Sequence, residues 1–189
     1  MELFYKVSRK ELLDIRNEIF VKNGIPALEK NGFERSPFTV ANYGRNNLKD
    51  FTYDLCRVNE LSHLEKITTH ISRGDRYIKI FLNIFELRPA IHSLGQLKKN
   101  EGMPFYLPPN SIAEMRLRSG DFKGMPLFNF THHKLKSFYF KSGYRSSVKD
   151  LKNLIESDLT DIDHFIKRWH ELHQPMITDW EGNAIHKGK

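Results

Sequence analysis

Hydrophobic positions near the start of the chain follow a helical spacing. Ser8 and Glu11 match a capping box, in which a hydroxyl and a carboxylate satisfy free amides at a helix start. Apolar residues then recur every three or four positions: Leu12, Ile15, Ile19 and Phe20. The pattern predicts a helix over residues 9–22 that ends at Gly24, and Pro26 can open a short second helix to Asn31.

The C-terminal part of the chain carries a second helical pattern. One apolar stripe runs over 25 residues, from Val148 to Leu172. Ser157 and Thr160 predict a break into two helices, with Thr160 capping the second. Pro175 ends the pattern, so residues 176–189 are expected to form a tail.

The middle of the chain alternates with the period of two that is typical of strands. Four runs are predicted as strands: residues 39–43, 51–58, 64–72 and 77–87. The last run is apolar on both faces, which indicates a strand that is central in its sheet or covered on both sides. Gly74 and Asp75 predict a two-residue hairpin turn between the last two strands, because glycine accepts positive φ.

Residues 88–126 are interrupted by proline and glycine, and a structureless loop of that length is unusual in a compact domain. We therefore expect a helix over residues 90–99, a second after Ser111, and two further strands at 127–132 and 134–141. Strands in the middle and helices at both ends predict an α+β fold, with an antiparallel sheet of about five strands and the terminal helices on one face. Residues 1–175 are expected to form a single domain.

The composition indicates the size of the core and the cellular compartment of the protein. The chain has 189 residues, a net charge of +7 and 39% apolar residues, so it can bury one sizeable core. No apolar leader or long apolar span is evident, and we expect neither a secretory signal nor a membrane partner. A single cysteine, Cys56, excludes an internal disulfide and favours a reducing, cytoplasmic location.

Positive charge is concentrated in one aromatic-rich segment. Residues 121–149 contain six basic residues and one acid, which is +5 of the net +7. Because a helix is expected to begin near Ser147, its free amides and partial positive charge suit a phosphate or carboxylate. The predicted anion-binding residues are Lys134, Lys136, Lys141, Arg145, Ser146, Ser147 and Lys149.

The same segment admits other interpretations. Lysines and aromatic rings on one strand can neutralise and stack single-stranded nucleic acid. The predicted aromatic contacts are Tyr139 and Tyr144 of this segment and Trp180 of the tail, where a lone tryptophan can anchor a partner. Each feature also has a simpler structural interpretation: Ser147 caps the helix, the phenylalanines are buried, the lysines are solvated, and Trp180 attaches the tail to the body.

Catalytic chemistry has weaker support in the sequence. Nine histidines are present, and a metal-assisted enzyme would need a pocket that gathers two or more of His70, His132, His133 and His170. Neither a cysteine cluster nor a phosphate loop or nucleophile elbow accompanies them. We assign no catalytic residue, no metal ligand and no cofactor, and Cys56 is expected to be a small buried thiol.

The sequence therefore favours a binding protein without catalysis. Its expected partner is an acidic protein surface or an anionic ligand. A nucleic-acid-binding protein is the alternative, and a metal-assisted enzyme that uses histidine and aspartate is the third hypothesis. The oligomeric state has no signature in the sequence.

Overall fold

A computed structural model describes residues 5–104, 110–119 and 132–186 of the chain. These residues contain a seven-stranded sheet in which β3, β4 and β5 form the centre. The strands are β1 (Glu34–Arg35), β2 (Tyr43–Arg45), β3 (Phe51–Val58), β4 (His63–Ile71), β5 (Lys79–Leu87), β6 (Met115–Arg116) and β7 (Met176–Thr178). All pairings are antiparallel except that of β7, which runs parallel to β5. The predicted α+β fold is confirmed.

Four of the five α-helices in the described residues lie towards the two ends of the chain, as predicted, and the short third one lies between β5 and β6. They are α1 (Arg9–Ile19), α2 (Ile25–Lys30), α3 (Asn110–Ala113), α4 (Lys141–Thr160) and α5 (Ile162–Leu172), with a π-helical turn over Phe20–Gly24 and a 3-10 turn over Leu94–Leu97. The Ser8 hydroxyl accepts the Glu11 amide at 3.1 Å, which confirms the predicted cap of α1. Gly24 does not end the first helix, because the π-helical turn carries the chain directly into α2.

One face of the central sheet, called the inner face, packs against α1, α2, α4 and α5. Alternation along β3, β4 and β5 sends every second side chain to this face. The fully buried strand residues here include Leu55, Ile67, Ile71, Ile80, Leu82 and Ile84. Trp169 from α5 completes this core and donates its indole N–H to the carbonyl of Ala113 at 2.6 Å.

The opposite face of the sheet, called the outer face, is closed at one end by a second apolar cluster. Cys56, Leu64 and Phe85 from the strands meet side chains of residues 91–103 there. β5 is therefore apolar on both faces because both are covered, as its sequence predicts. Cys56 is fully buried, and burial raises the pKa of its thiol to about 11.

The segment predicted as a tail is attached to this second cluster. β7 extends the sheet beside β5, and Trp180 packs on the cluster while its indole donates to the carbonyl of Pro89 at 2.7 Å. The chain therefore contributes to the fold beyond Pro175, up to at least Ala184, which bridges Thr178.

Several local predictions are wrong. Residues 72–78 form a longer connection than a two-residue hairpin, and a positive φ is not required at Gly74. Residues 134–141 form no strand and make only one bridge, between Tyr77 and Lys134. The helix expected over 90–99 is the single 3-10 turn, and residues 39–43 contribute only Tyr43 to β2. The strand expected at 127–132 lies outside the described residues, apart from a turn at His132.

A buried arginine holds α1 against the connection between β4 and β5. Arg16 has no solvent exposure, and its guanidinium donates to the carbonyls of Leu12, Tyr77 and Ser72 at 2.7, 2.7 and 3.1 Å. It also pairs with the carboxylate of Asp75 at 3.3 Å. These bonds hold the connection over residues 72–78 in place, where the sequence predicts a two-residue hairpin turn.

We expect Arg16→Ala to lower the free energy of unfolding by about 3 kcal/mol, because it leaves buried carbonyls and Asp75 without their donor. Arg9→Ala, an exposed position on the same helix, should change it by less than about 0.5 kcal/mol. Urea denaturation followed by circular dichroism measures both. Equal stability of the two variants would contradict this role of Arg16.

Candidate functional site

A polar cleft opens on the outer face, beside the second apolar cluster. The cavity has a volume of about 560 Å³. Its floor comes from alternate residues of two paired strands: Thr52 and Asp54 of β3, and Lys66, Thr68 and His70 of β4. Antiparallel register places Thr52 opposite His70 and Asp54 opposite Thr68, so these side chains are direct neighbours.

Asp54 is the centre of the hydrogen-bond network on this floor. One carboxylate oxygen accepts the hydroxyl of Thr68 and lies 3.7 Å from the ammonium of Lys66. The other oxygen accepts the backbone N–H of Asn42 at 2.8 Å. Asp54, Lys66 and Thr68 are each at most 3% exposed, so the ion pair is desolvated and depends on these bonds for its stability.

His70 forms the end of the floor. Its Nδ1 lies 3.3 Å from the hydroxyl of Thr52, and its ring meets Phe81 edge-on. Burial lowers the pKa of His70, and Lys79 and Lys66 act in the same direction against the opposing effect of Asp54. The imidazole is therefore neutral at pH 7, with one ring nitrogen that donates a hydrogen bond and one that accepts.

Glu114 lies at the next position of the same face. It directly precedes Met115, which pairs with Leu82, so it continues the register beside Asn83 and Lys66. Burial raises the pKa of Glu114 to about 7, although Lys66 opposes this shift. One carboxyl oxygen of Glu114 is buried without a hydrogen-bond partner in the described residues. A protonated carboxyl group satisfies such a position at lower cost than a carboxylate.

The rim of the cleft is a short strap, residues 100–104. Backbone amides of Thr39 and Val40 donate to the carbonyls of Asn100 and Glu101 at 2.9 and 3.2 Å. Gly102 has φ +94°, and a Cβ there would lie 2.3 Å from the Phe38 ring. This position therefore requires glycine, and the close contact fixes the strap against residues 38–40.

The predicted anion-binding residues lie on the opposite side of the molecule, mostly on α4. The helix begins at Lys141, which is earlier than predicted, and Phe140 precedes it without a side-chain cap. Lys141, Arg145 and Lys149 consequently occupy exposed positions at four-residue spacing. We call these three residues the basic ridge. None has an acidic partner within the described ranges.

The remaining predicted residues do not join the ridge as one surface. Lys136 pairs with Asp150 at 3.0 Å, and the ammonium of Lys134 lies over the Tyr77 ring. Ser146 is exposed one turn into the helix, whereas the hydroxyl of Ser147 is buried and has no hydrogen-bond partner among the described residues. Ser147 is thus inside α4 and does not cap it.

The predicted aromatic contacts and their described neighbours have three different environments. Phe138 and Tyr144 pack together with Tyr5, at ring distances of 4.9 to 6.2 Å. Tyr139 and Phe140 are 67% and 64% exposed at the start of the ridge. Trp180 is remote from them and lies on the second cluster.

The structure separates the histidines that a metal-assisted enzyme would need. His70 lies in the cleft and His170 lies beside His63 and Trp169. His133 is buried where its Nε2 meets Asp158 at 2.7 Å, and Arg118 binds the same carboxylate through two nitrogens at 2.6 Å. Over residues 5–104, 110–119 and 132–186, no three histidine, cysteine or acidic side chains are placed to hold a metal ion.

The cleft was missed from sequence, although one signal was available. Threonine, aspartate, lysine and histidine alternate on one face of two strands whose other face is apolar. Such alternation normally indicates that the polar face of the strands is exposed to solvent. Within the described residues, the strap and the chain around Asn42 bury it, and their position follows from tertiary packing.

Comparison with known proteins gives no relative from which a function can be transferred. No family model matches the chain, and neither a curated protein nor a solved structure is significantly similar to it. None of the helices in the described ranges has the length and apolar character that a membrane crossing requires.

The buried His133 predicts that stability falls as the solution becomes acidic. Burial lowers the pKa of His133 below its ordinary value of 6.5, so the folded chain resists a proton that the unfolded chain accepts. The free energy of unfolding should therefore decrease as the pH falls below about 6.5. His133→Gln should show a shallower slope than the parent protein between neutral and mildly acidic pH, measured by urea denaturation. Parallel slopes would contradict a neutral His133.

Proposed function

We propose that the protein is a cytoplasmic binding protein that holds an acidic protein surface on the basic ridge of α4. The observation that supports this is the spacing of three exposed cations along one helix face, none of which has an acidic partner within the described residues. Unpaired surface charges at this density favour a complementary partner and accelerate its encounter.

Helix geometry makes the ridge a regular array. A rise of 1.5 Å per residue separates successive cations by about 6 Å along the axis. Free backbone amides at the start of α4 add to the positive potential of the ridge. The amide of Tyr144 is the first that donates to a helical carbonyl, that of Phe140, so the amides before it are free of helical bonds. No acid occupies the first turn of α4, so the partial positive charge of the helix end reinforces the ridge.

Two features favour a protein partner over nucleic acid. Exposed Tyr139 and Phe140 flank the cations, and aromatic anchors with a charged periphery are typical of protein interfaces. Asp150 follows Lys149 directly and holds Lys136, so the cationic surface is narrow. The carboxylate of Asp150 would repel a nucleic-acid backbone that runs along this surface. A compact acidic patch can bind the ridge without contacting Asp150.

We expect the chain to bind a fluorescent oligoglutamate peptide at low salt, measured by fluorescence anisotropy. Charge reversal at all three ridge positions (Lys141→Glu, Arg145→Glu and Lys149→Glu) should weaken binding at least about tenfold, because three favourable charge contacts become repulsive. Phe140→Ala should weaken binding less and should leave its salt dependence unchanged.

A matched control keeps the same change in net charge. Lys30→Glu, Lys98→Glu and Lys167→Glu are exposed lysines away from the ridge, and their combination should retain most of the affinity. Equal loss in both triple variants would show that net charge alone binds the peptide, and would refute the ridge. Tighter binding to oligothymidylate of the same length, with a steep salt dependence, would assign the ridge to nucleic acid instead.

A further inference from the structure

We infer that the cleft on the outer face is a second binding site, for an uncharged, hydroxyl-bearing small molecule of monosaccharide or nucleoside size. The site is independent of the basic ridge, because α4 packs on the inner face of the sheet. The inference depends on the polar floor, the balance of charge within the cleft and the fixed rim.

The floor has more polar groups than the fold requires. In the neighbouring part of the same outer face, Cys56, Leu64 and Phe85 are buried as members of the second apolar cluster. Apolar residues at Asp54, Lys66 and Thr68 would extend that cluster without the cost of burying two charges, which well-packed hydrophobic residues often replace with no loss of stability. A cavity with apolar walls and a few convergent polar groups is instead typical of a small-molecule site.

The charges of the cleft favour an uncharged ligand. Lys66 and Asp54 compensate one another at 3.7 Å, and the imidazole of His70 is neutral at pH 7. The remaining charge among the lining residues is that of Glu101, which is exposed on the strap. Glu101 would repel an anion on entry, and the compensated pair of Asp54 and Lys66 leaves no net charge on the floor to hold an ion of either sign.

Hydroxyl groups match the hydrogen-bonding capacity that remains. Among the described residues, Asp54 accepts from Asn42 and Thr68 and pairs with Lys66, and these contacts leave one of about four carboxylate lone pairs for a ligand. His70 uses Nδ1 toward Thr52, and its Nε2 has no hydrogen bond in the described structure. A hydroxyl both donates and accepts, so one diol can satisfy these two groups together.

The walls suit the apolar face of a sugar or a base. Val40, Met103 and Pro104 line the cavity opposite the polar floor. The volume of about 560 Å³ lies within the range of small-molecule sites. Because backbone hydrogen bonds and the Gly102 contact fix the strap, little conformational entropy is lost when a ligand enters.

Saturation-transfer NMR on the full chain tests the inference with four neutral probes: D-glucose, D-ribose, adenosine and cytidine. We expect at least one to bind with a dissociation constant of about 1 mM or tighter. Adenosine 5′-monophosphate, which adds a charged phosphate to one probe, should bind more weakly than adenosine.

Two cleft variants and one control locate the binding. His70→Ala removes a ligand contact, and Val40→Trp fills the mouth from a position that is 54% exposed, so neither needs to disturb the core. Each should weaken binding of the positive probe at least about fivefold, a difference near 1 kcal/mol. Lys141→Ala on the ridge should bind it like the parent protein.

Three outcomes would overturn the inference: no transfer to any neutral probe, tighter binding of the monophosphate than of adenosine, or equal binding in Val40→Trp, His70→Ala and the parent protein. Circular dichroism of each variant confirms that it is folded. None of these outcomes depends on the oligoglutamate measurement, because the two sites lie on opposite sides of the sheet.

Discussion

Coverage of both faces of the central sheet is the constraint on which the rest of the structure depends. A strand that is covered on both sides must satisfy most of its polar side chains internally, since their contact with water is small. Asp54 therefore accepts from Asn42 and Thr68 and pairs with Lys66, and these bonds fix the position of the chain around Asn42. The cleft exists because this network meets a strap that covers the sheet only in part.

Elements with a strong period were predictable from the sequence. The observed bounds of β3 coincide with the predicted run. Phe51, Tyr53 and Leu55 alternate with polar residues, and this alternation matches the residues that β4 places opposite them on each face. β4 and β5 deviate by only one or two residues. The break between α4 and α5 follows Thr160, at Asp161, close to the predicted position.

Features that depend on tertiary contacts were not predictable. Residues 134–141 alternate like a strand, yet only Lys134 finds a bridge partner, and the chain turns into α4 at Lys141. Ser147 resembles a helix cap in sequence but is buried within α4. The basic character of the ridge can be predicted from composition. Its regular spacing cannot, because it requires Lys141 and Arg145 to lie within α4, and the sequence predicts a later start of this helix. The cleft required the strap, whose position no local pattern encodes.

The parallel pairing of β7 with β5 has a consequence for synthesis of the chain. Both α4 and α5 are translated between these two strands, so a nascent chain presents the edge of β5 before β7 can cover it. β5 is apolar on both faces, and open apolar edges recruit other strands. Until Met176–Thr178 docks, a ribosome-bound chain of this protein therefore exposes the C-terminal end of that edge to pairing with other strands.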